Sequence, residues 1–123
     1  MAAYNKSKEA TQYSSMLRSM MGDMRQARQN AMTQGRPAVF FVDLIKRTYG
    51  LSETSARTLP ETVTVKATVA GQQLQQGSVA SIVFLPDGGA TGGSFDVTRP
   101  SGVGTRLRID WLSGQITQEK LRP

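Results

Sequence analysis

The stretch that decides the fold runs from Ala10 to Gln34 and reads ATQYSSMLRSMMGDMRQARQNAMTQ. Its apolar side chains fall at Tyr13, Met16, Leu17, Met20, Met21, Met24, Ala27, Ala31 and Met32. Those steps of three and four place them on one stripe of an α-helix. Gln12, Ser19, Asp23, Gln26 and Gln29 occupy the opposite face, and Arg18, Arg25 and Arg28 flank the stripe. Gly35 stands where a left-handed cap favours a residue without Cβ, and Pro37 then forbids continuation. At 1.5 Å per residue such a helix is roughly 37 Å long, about twice the usual globular length. Nothing after Pro37 has helical periodicity. The rest of the chain must therefore supply the surface that covers the stripe.

Working outward, Met1–Glu9 is polar and reads as a disordered or vector-derived stub. Beyond Pro37 the apolar run Ala38–Ile45 reads as a strand buried on both faces, with Asp43 a strand-end carboxylate that finds a local partner. Lys46–Gly50 reads as a turn and Ser52–Thr58 as a loop. Thr62–Val69 alternates, with Val63, Val65, Ala67 and Val69 inward, as a half-exposed strand does. Ala70–Ser78 is a polar loop. Ala80–Leu85 reads as a central strand, and Pro86-Asp87-Gly88-Gly89 as a tight turn. Ser94–Thr98, Thr105–Leu112 and Gln115–Gln118 follow, joined by glycine-rich links, as an antiparallel meander. In the second of these, Leu107, Ile109 and Trp111 share the inward face. The expected fold is α+β: one domain over residues 1–123, with a helix over 10–35 and a β region over 38–118. The helix packs on antiparallel sheet of about six strands.

The chain has 123 residues and neither cysteine nor histidine. It therefore has no disulfide and no thiolate, and it lacks the commonest general base and metal ligand. The glycines of Gly88–Gly93 have no P-loop lysine and open a strand rather than a helix, so they form no phosphate cradle. Asp87, Asp96 and Asp110 match no calcium-loop spacing. No hydroxyl or amine has an activating base nearby. The expectation is a protein that is not an enzyme, with no cofactor and no metal. Net charge is +6, of which +4 lies within residues 1–37. Such an excess suits an anionic partner, whether nucleic acid, lipid head groups or an acidic protein face.

The segment Ile82-Val83-Phe84-Leu85-Pro86-Asp87-Gly88-Gly89-Ala90-Thr91-Gly92-Gly93 resembles the hairpin of the GspH/FimT family. Ile109-Asp110-Trp111-Leu112-Ser113-Gly114-Gln115-Ile116 is similar to that family's closing strands, in the form found in type II secretion. Ala27-Arg28-Gln29-Asn30-Ala31 with Gly35 is similar to its helix end. The resemblance implies a pilin-like minor pseudopilin of a bacterial type II secretion system. Its partners would be the other minor pseudopilins and the major one, at or near the filament tip. It also implies that the full-length protein is held in the inner membrane by a preceding apolar helix, with this domain in the periplasm. Partner contacts through the helix would then fall on Arg18, Met21, Arg25 and Arg28. The competing reading is a FimT-like minor type IV pilin that binds DNA during uptake. The placement of the basic excess on the helix, which a filament crowds, weighs against it.

Overall fold

The computed structural model describes residues 2–69, 72–74 and 78–121. Helix α1 spans Ala2–Gln34, so it opens at Ala2, and the polar segment read as a stub is helical up to Met1, which lies outside the described residues. Alanine, lysine and glutamate are good helix formers, and Glu9 is held by a distant arginine described below. The helix ends as its sequence implies. Gly35 takes φ +67°, and its amide donates to the Ala31 carbonyl at 3.0 Å. Tyr13, Met16, Leu17, Met20, Met24, Ala27 and Ala31 are buried. Met21 is half-buried against the same core, while Met32 at the helix end is exposed.

Six strands of six residues carry the β region: β1 (Ala38–Asp43), β4 (Thr64–Val69), β6 (Val79–Phe84), β7 (Gly93–Thr98), β8 (Gly104–Ile109) and β9 (Ile116–Leu121). Three shorter ones, β2 (Thr48–Gly50), β3 (Arg57–Thr58) and β5 (Gln72–Leu74), join them. They form two antiparallel sheets in the orders β3-β2-β1-β6 and β5-β4-β7-β8-β9. The short strands lie in segments read as turn and loop, because two or three residues carry no periodicity. The turn into β2 is instead made by Leu44–Arg47, with Arg47 at φ +57°. Asp43 anchors that turn: its Oδ1 accepts the amides of Ile45 and Lys46, each at 2.9 Å.

Two strands differ from their sequence reading. β1 buries Phe40 and Val42 but leaves Val39 exposed and Phe41 half-buried, so one face only is covered. β6 pairs with β1 alone and is an edge of its sheet, not a central strand. The meander holds from β7 through β9. Between β6 and β7 the chain makes one bridge, Phe84 to Ala90, and then changes sheet at Gly92-Gly93. A Cβ on Gly93 would stand 2.7 Å from the Thr68 carbonyl oxygen and 2.9 Å from Ile82 Cδ1, so only glycine lets the sheets approach there.

Helix and both sheets share one core. Phe40 of the first sheet meets Phe95 of the second edge-on, with centroids 5.8 Å apart. Tyr13 reaches from the helix to the second sheet, its hydroxyl 2.6 Å from Thr105 Oγ1 and 3.4 Å from the Val97 carbonyl. The solvent face of that sheet carries a cross-strand row of alternating charge, Lys66, Asp96, Arg106 and Glu119, fixed by register. Within it Arg106 grips Asp96 through two bonds of 2.7 and 2.9 Å.

Candidate partner-docking surface

The four helix residues expected to meet partners separate into two kinds. Arg18 and Arg25 are exposed, two turns apart on one face. Arg18 donates to Ser15 Oγ at 3.5 Å. Neither makes an ion pair among the described residues. Arg28 is half-buried and serves its own fold: its Nε donates to the carbonyls of Gly88 at 3.3 Å and Ser113 at 3.1 Å. Met21 is half-buried, packed against the core on one side. Arg25 and Arg28 are brought together on one wall of a groove of about 420 Å³, with Gln29, whose other wall is Gly114, Gln115 and Ile116.

Among the described residues the acidic side chains of the helix are in ion pairs, whereas Arg18 and Arg25 are in none. Asp23 lies 3.4 Å from Arg57. Glu9 receives two bonds from Arg99, at 2.9 Å from Nε and 2.8 Å from Nη2. The Arg99 guanidinium also lies over the Tyr13 ring, 5.5 Å from its centroid. Hydrogen bonding to Arg99 holds the Glu9 carboxyl below the usual carboxylate range. The outward helix face is thus left with positive charge.

The sequence reading placed Trp111 in the core; it is 66% exposed, and its neighbour Leu112 is 70% exposed. The alternation that buries Leu107 and Ile109 ends with β8 at Ile109. Asp110–Gln115 is a turn: the Asp110 amide donates to the Gln115 carbonyl at 3.0 Å and the Gly114 amide to the Asp110 carbonyl at 2.8 Å. Asp110 Oδ2 accepts from the amide and the hydroxyl of Ser113, both at 2.8 Å. Those bonds lower the Asp110 carboxyl from its usual value. An Asp three residues before a Ser whose amide and hydroxyl it can accept, with Gly next, is itself a turn signal, and Asp110-Trp111-Leu112-Ser113-Gly114 carries it. Among the described residues no three carboxylates cluster as a metal site, and no helix is long and apolar enough to cross a membrane.

A long helix laid on two antiparallel sheets is the pseudopilin fold. It matches the solved structure of the minor pseudopilin EpsH from the type 2 secretion system of Vibrio cholerae with a TM-score of 0.61, over 84% of this chain and 92% of that one, at 13% identity. The chain belongs to the GspH family of type II transport proteins, whose family model matches residues 17–114. It is also 28% identical over 107 residues to the type II secretion system protein H of Xanthomonas campestris pv. campestris, covering 85% of this chain. The chain spans 62% of the length of that relative. The family is one of type II transport proteins, and the likeness to the solved structure is one of fold.

Proposed function

We propose that this chain is a structural subunit of a type II secretion pseudopilus. It assembles at or near the filament tip with other minor pseudopilins and the major one, and helps drive folded proteins across the outer membrane. In this reading the full-length protein is anchored in the inner membrane by one helix, with the domain described here in the periplasm. The observation that carries the reading is the charge division of α1. Glu9 and Asp23 are paired with the chain's own arginines, whereas the exposed Arg18 and Arg25 make no ion pair among the described residues. Guanidiniums spaced along one helix face suit carboxylates on neighbouring helices, where partly desolvated pairs set register as much as affinity. Arg28 and Met21, taken up by the chain's own fold, contribute to that face by positioning it.

DNA binding predicts a different surface. Nucleic-acid affinity grows with the number of phosphates neutralised. On the second sheet and just past β7, however, Arg106, Arg108 and Arg99 are each paired with a carboxylate. The test sets capture of the other pseudopilins of the same system against a gel shift with duplex DNA, both at about 150 mM salt. Capture that weakens when Arg18 and Arg25 are replaced by glutamate is the expected result. A DNA shift at low micromolar protein with no pseudopilin captured would transfer the assignment to a DNA-binding pilin.

A further inference from the structure

We propose that the β8–β9 turn is a docking knob, with Trp111 and Leu112 entering an apolar socket on a neighbouring pseudopilin and Arg25 meeting a carboxylate at the socket's rim. The proposal rests on the pseudopilus reading above and names the surface through which one neighbour is held.

Single exposed apolar residues are ordinary on protein surfaces. Trp111 and Leu112 differ because they are consecutive, large, and the two most exposed large apolar side chains among the described residues. Adjacent apolar exposure of this kind marks interaction sites, and tryptophan and arginine dominate the energetics of protein interfaces. The turn that carries them is rigid. Asp110 closes it through its carboxylate and its backbone. The Ala90 amide donates to the Trp111 carbonyl at 2.9 Å. Gly92 lies directly under the tryptophan, where an added Cβ would stand 3.1 Å from Trp111 Cβ. A side chain already fixed in place loses little entropy on binding, which raises affinity.

The chemistry of the partner follows from what surrounds the knob. Gly114 and Gln115 belong both to the turn and to the groove walled by Arg25 and Arg28. Trp111 itself borders a second groove, with Gly92, Arg108 and Asp110, so the indole and the Arg25 guanidinium, which makes no ion pair among the described residues, belong to two grooves that share one turn. An apolar hollow with an acidic rim is complementary to it. Continuity selects the occupant: through Ser113, Arg28 ties the turn to α1, the element on which the proposed assembly rests. A second copy of this chain has few carboxylates to offer: Glu9, Asp23, Asp96 and Glu119 are in ion pairs, and Asp43, Asp87 and Asp110 accept amides of their own turns, which leaves Glu61 as an exposed candidate among the described side chains. Nucleic acid gives Leu112 nothing to bury against.

Trp111 is the sole tryptophan, so the protein labelled with 5-fluorotryptophan yields one fluorine resonance that reports the knob directly. Titration with the soluble domains of the other pseudopilins of the same system is expected to shift or broaden that resonance with one of them. Trp111→Ala and Leu112→Ser should each weaken that partner about thirtyfold, and Arg25→Glu should weaken it and flatten its salt dependence, all with unchanged circular dichroism. Capture of a pseudopilin with an unmoved resonance and unaffected variants would overturn the knob while leaving the pseudopilus reading standing. Absence of any pseudopilin binding would overturn both. A resonance that moves with protein concentration alone would identify a second copy as the occupant and overturn the proposal.

Discussion

The methionine stripe of α1 and the tryptophan turn after β8 began as the same kind of evidence, apolar residues continuing a periodic pattern. Met20 and Met24 have no exposed surface, whereas Trp111 is mostly exposed. The difference is whether the secondary structure lasts as long as the pattern. About six helical turns stand between Tyr13 and the Gly35 cap, so the phase of the stripe is enforced by the backbone throughout. At Ile109 the strand stops, and the next apolar residue has no pleat to assign it a face. Periodicity reports burial only while the element that generates it persists.

That contrast is most sharply broken at Met20. Met20→Asp places a carboxylate where no partner or water reaches, and should cost about 4 kcal/mol or more, read as a denaturant midpoint shift or as failure to fold. An effect under about 1 kcal/mol would mean that the stripe is not the core. Gly114→Ala tests the turn's backbone. Gly114 has φ +69° and its Cβ position is filled by the Gly88 carbonyl and the Arg28 side chain. Strain and crowding together should cost about 2–4 kcal/mol and shift the Trp111 environment in the same melt.

Acid provides a gentler probe. The Asp110 carboxyl titrates below its usual value because Ser113 bonds its charged form. A lowered folded-state value means a stabilisation fully present above the ordinary aspartate pKa of about 3.9 and lost as pH falls through the lower folded value. Protection of the Ser113 amide against hydrogen exchange should accordingly persist to below that pH and then vanish. In Asp110→Asn the pH dependence should disappear. The smallest effect is the most informative: Trp111→Ala should change stability by less than about 0.5 kcal/mol. A loss of several kcal/mol, the value proper to a buried tryptophan, would return Trp111 to the core.

The helix, its cap, the six long strands and the α+β class were readable because each rests on many residues repeating one period. The short strands β2, β3 and β5 were not, since they are held by neighbours rather than by their own pattern. The one-sided burial of β1 was hidden because Val39 and Phe41 are as apolar as Phe40 and Val42, so composition concealed which face was covered. On the helix surface, Arg18 and Arg25 were legible as outward charge. The role of Arg28 was not, because the carbonyls it bonds come from Gly88 and Ser113, sixty and eighty-five residues away in sequence. Glu9 and Arg99 met for the same reason unseen, across ninety residues.

Those last contacts give the domain a mechanical property. The helix is pinned to the β region towards both ends, by Glu9 and Tyr13 near its start and by Arg28 further on, roughly 28 Å apart along its axis, with the Asp23–Arg57 pair between them. A rod fastened at one point can roll in its seat; fastened at two, it and its seat turn as one body. A twist applied to α1 is therefore carried into the β region, and through Arg28 and Ser113 to the turn that bears Trp111.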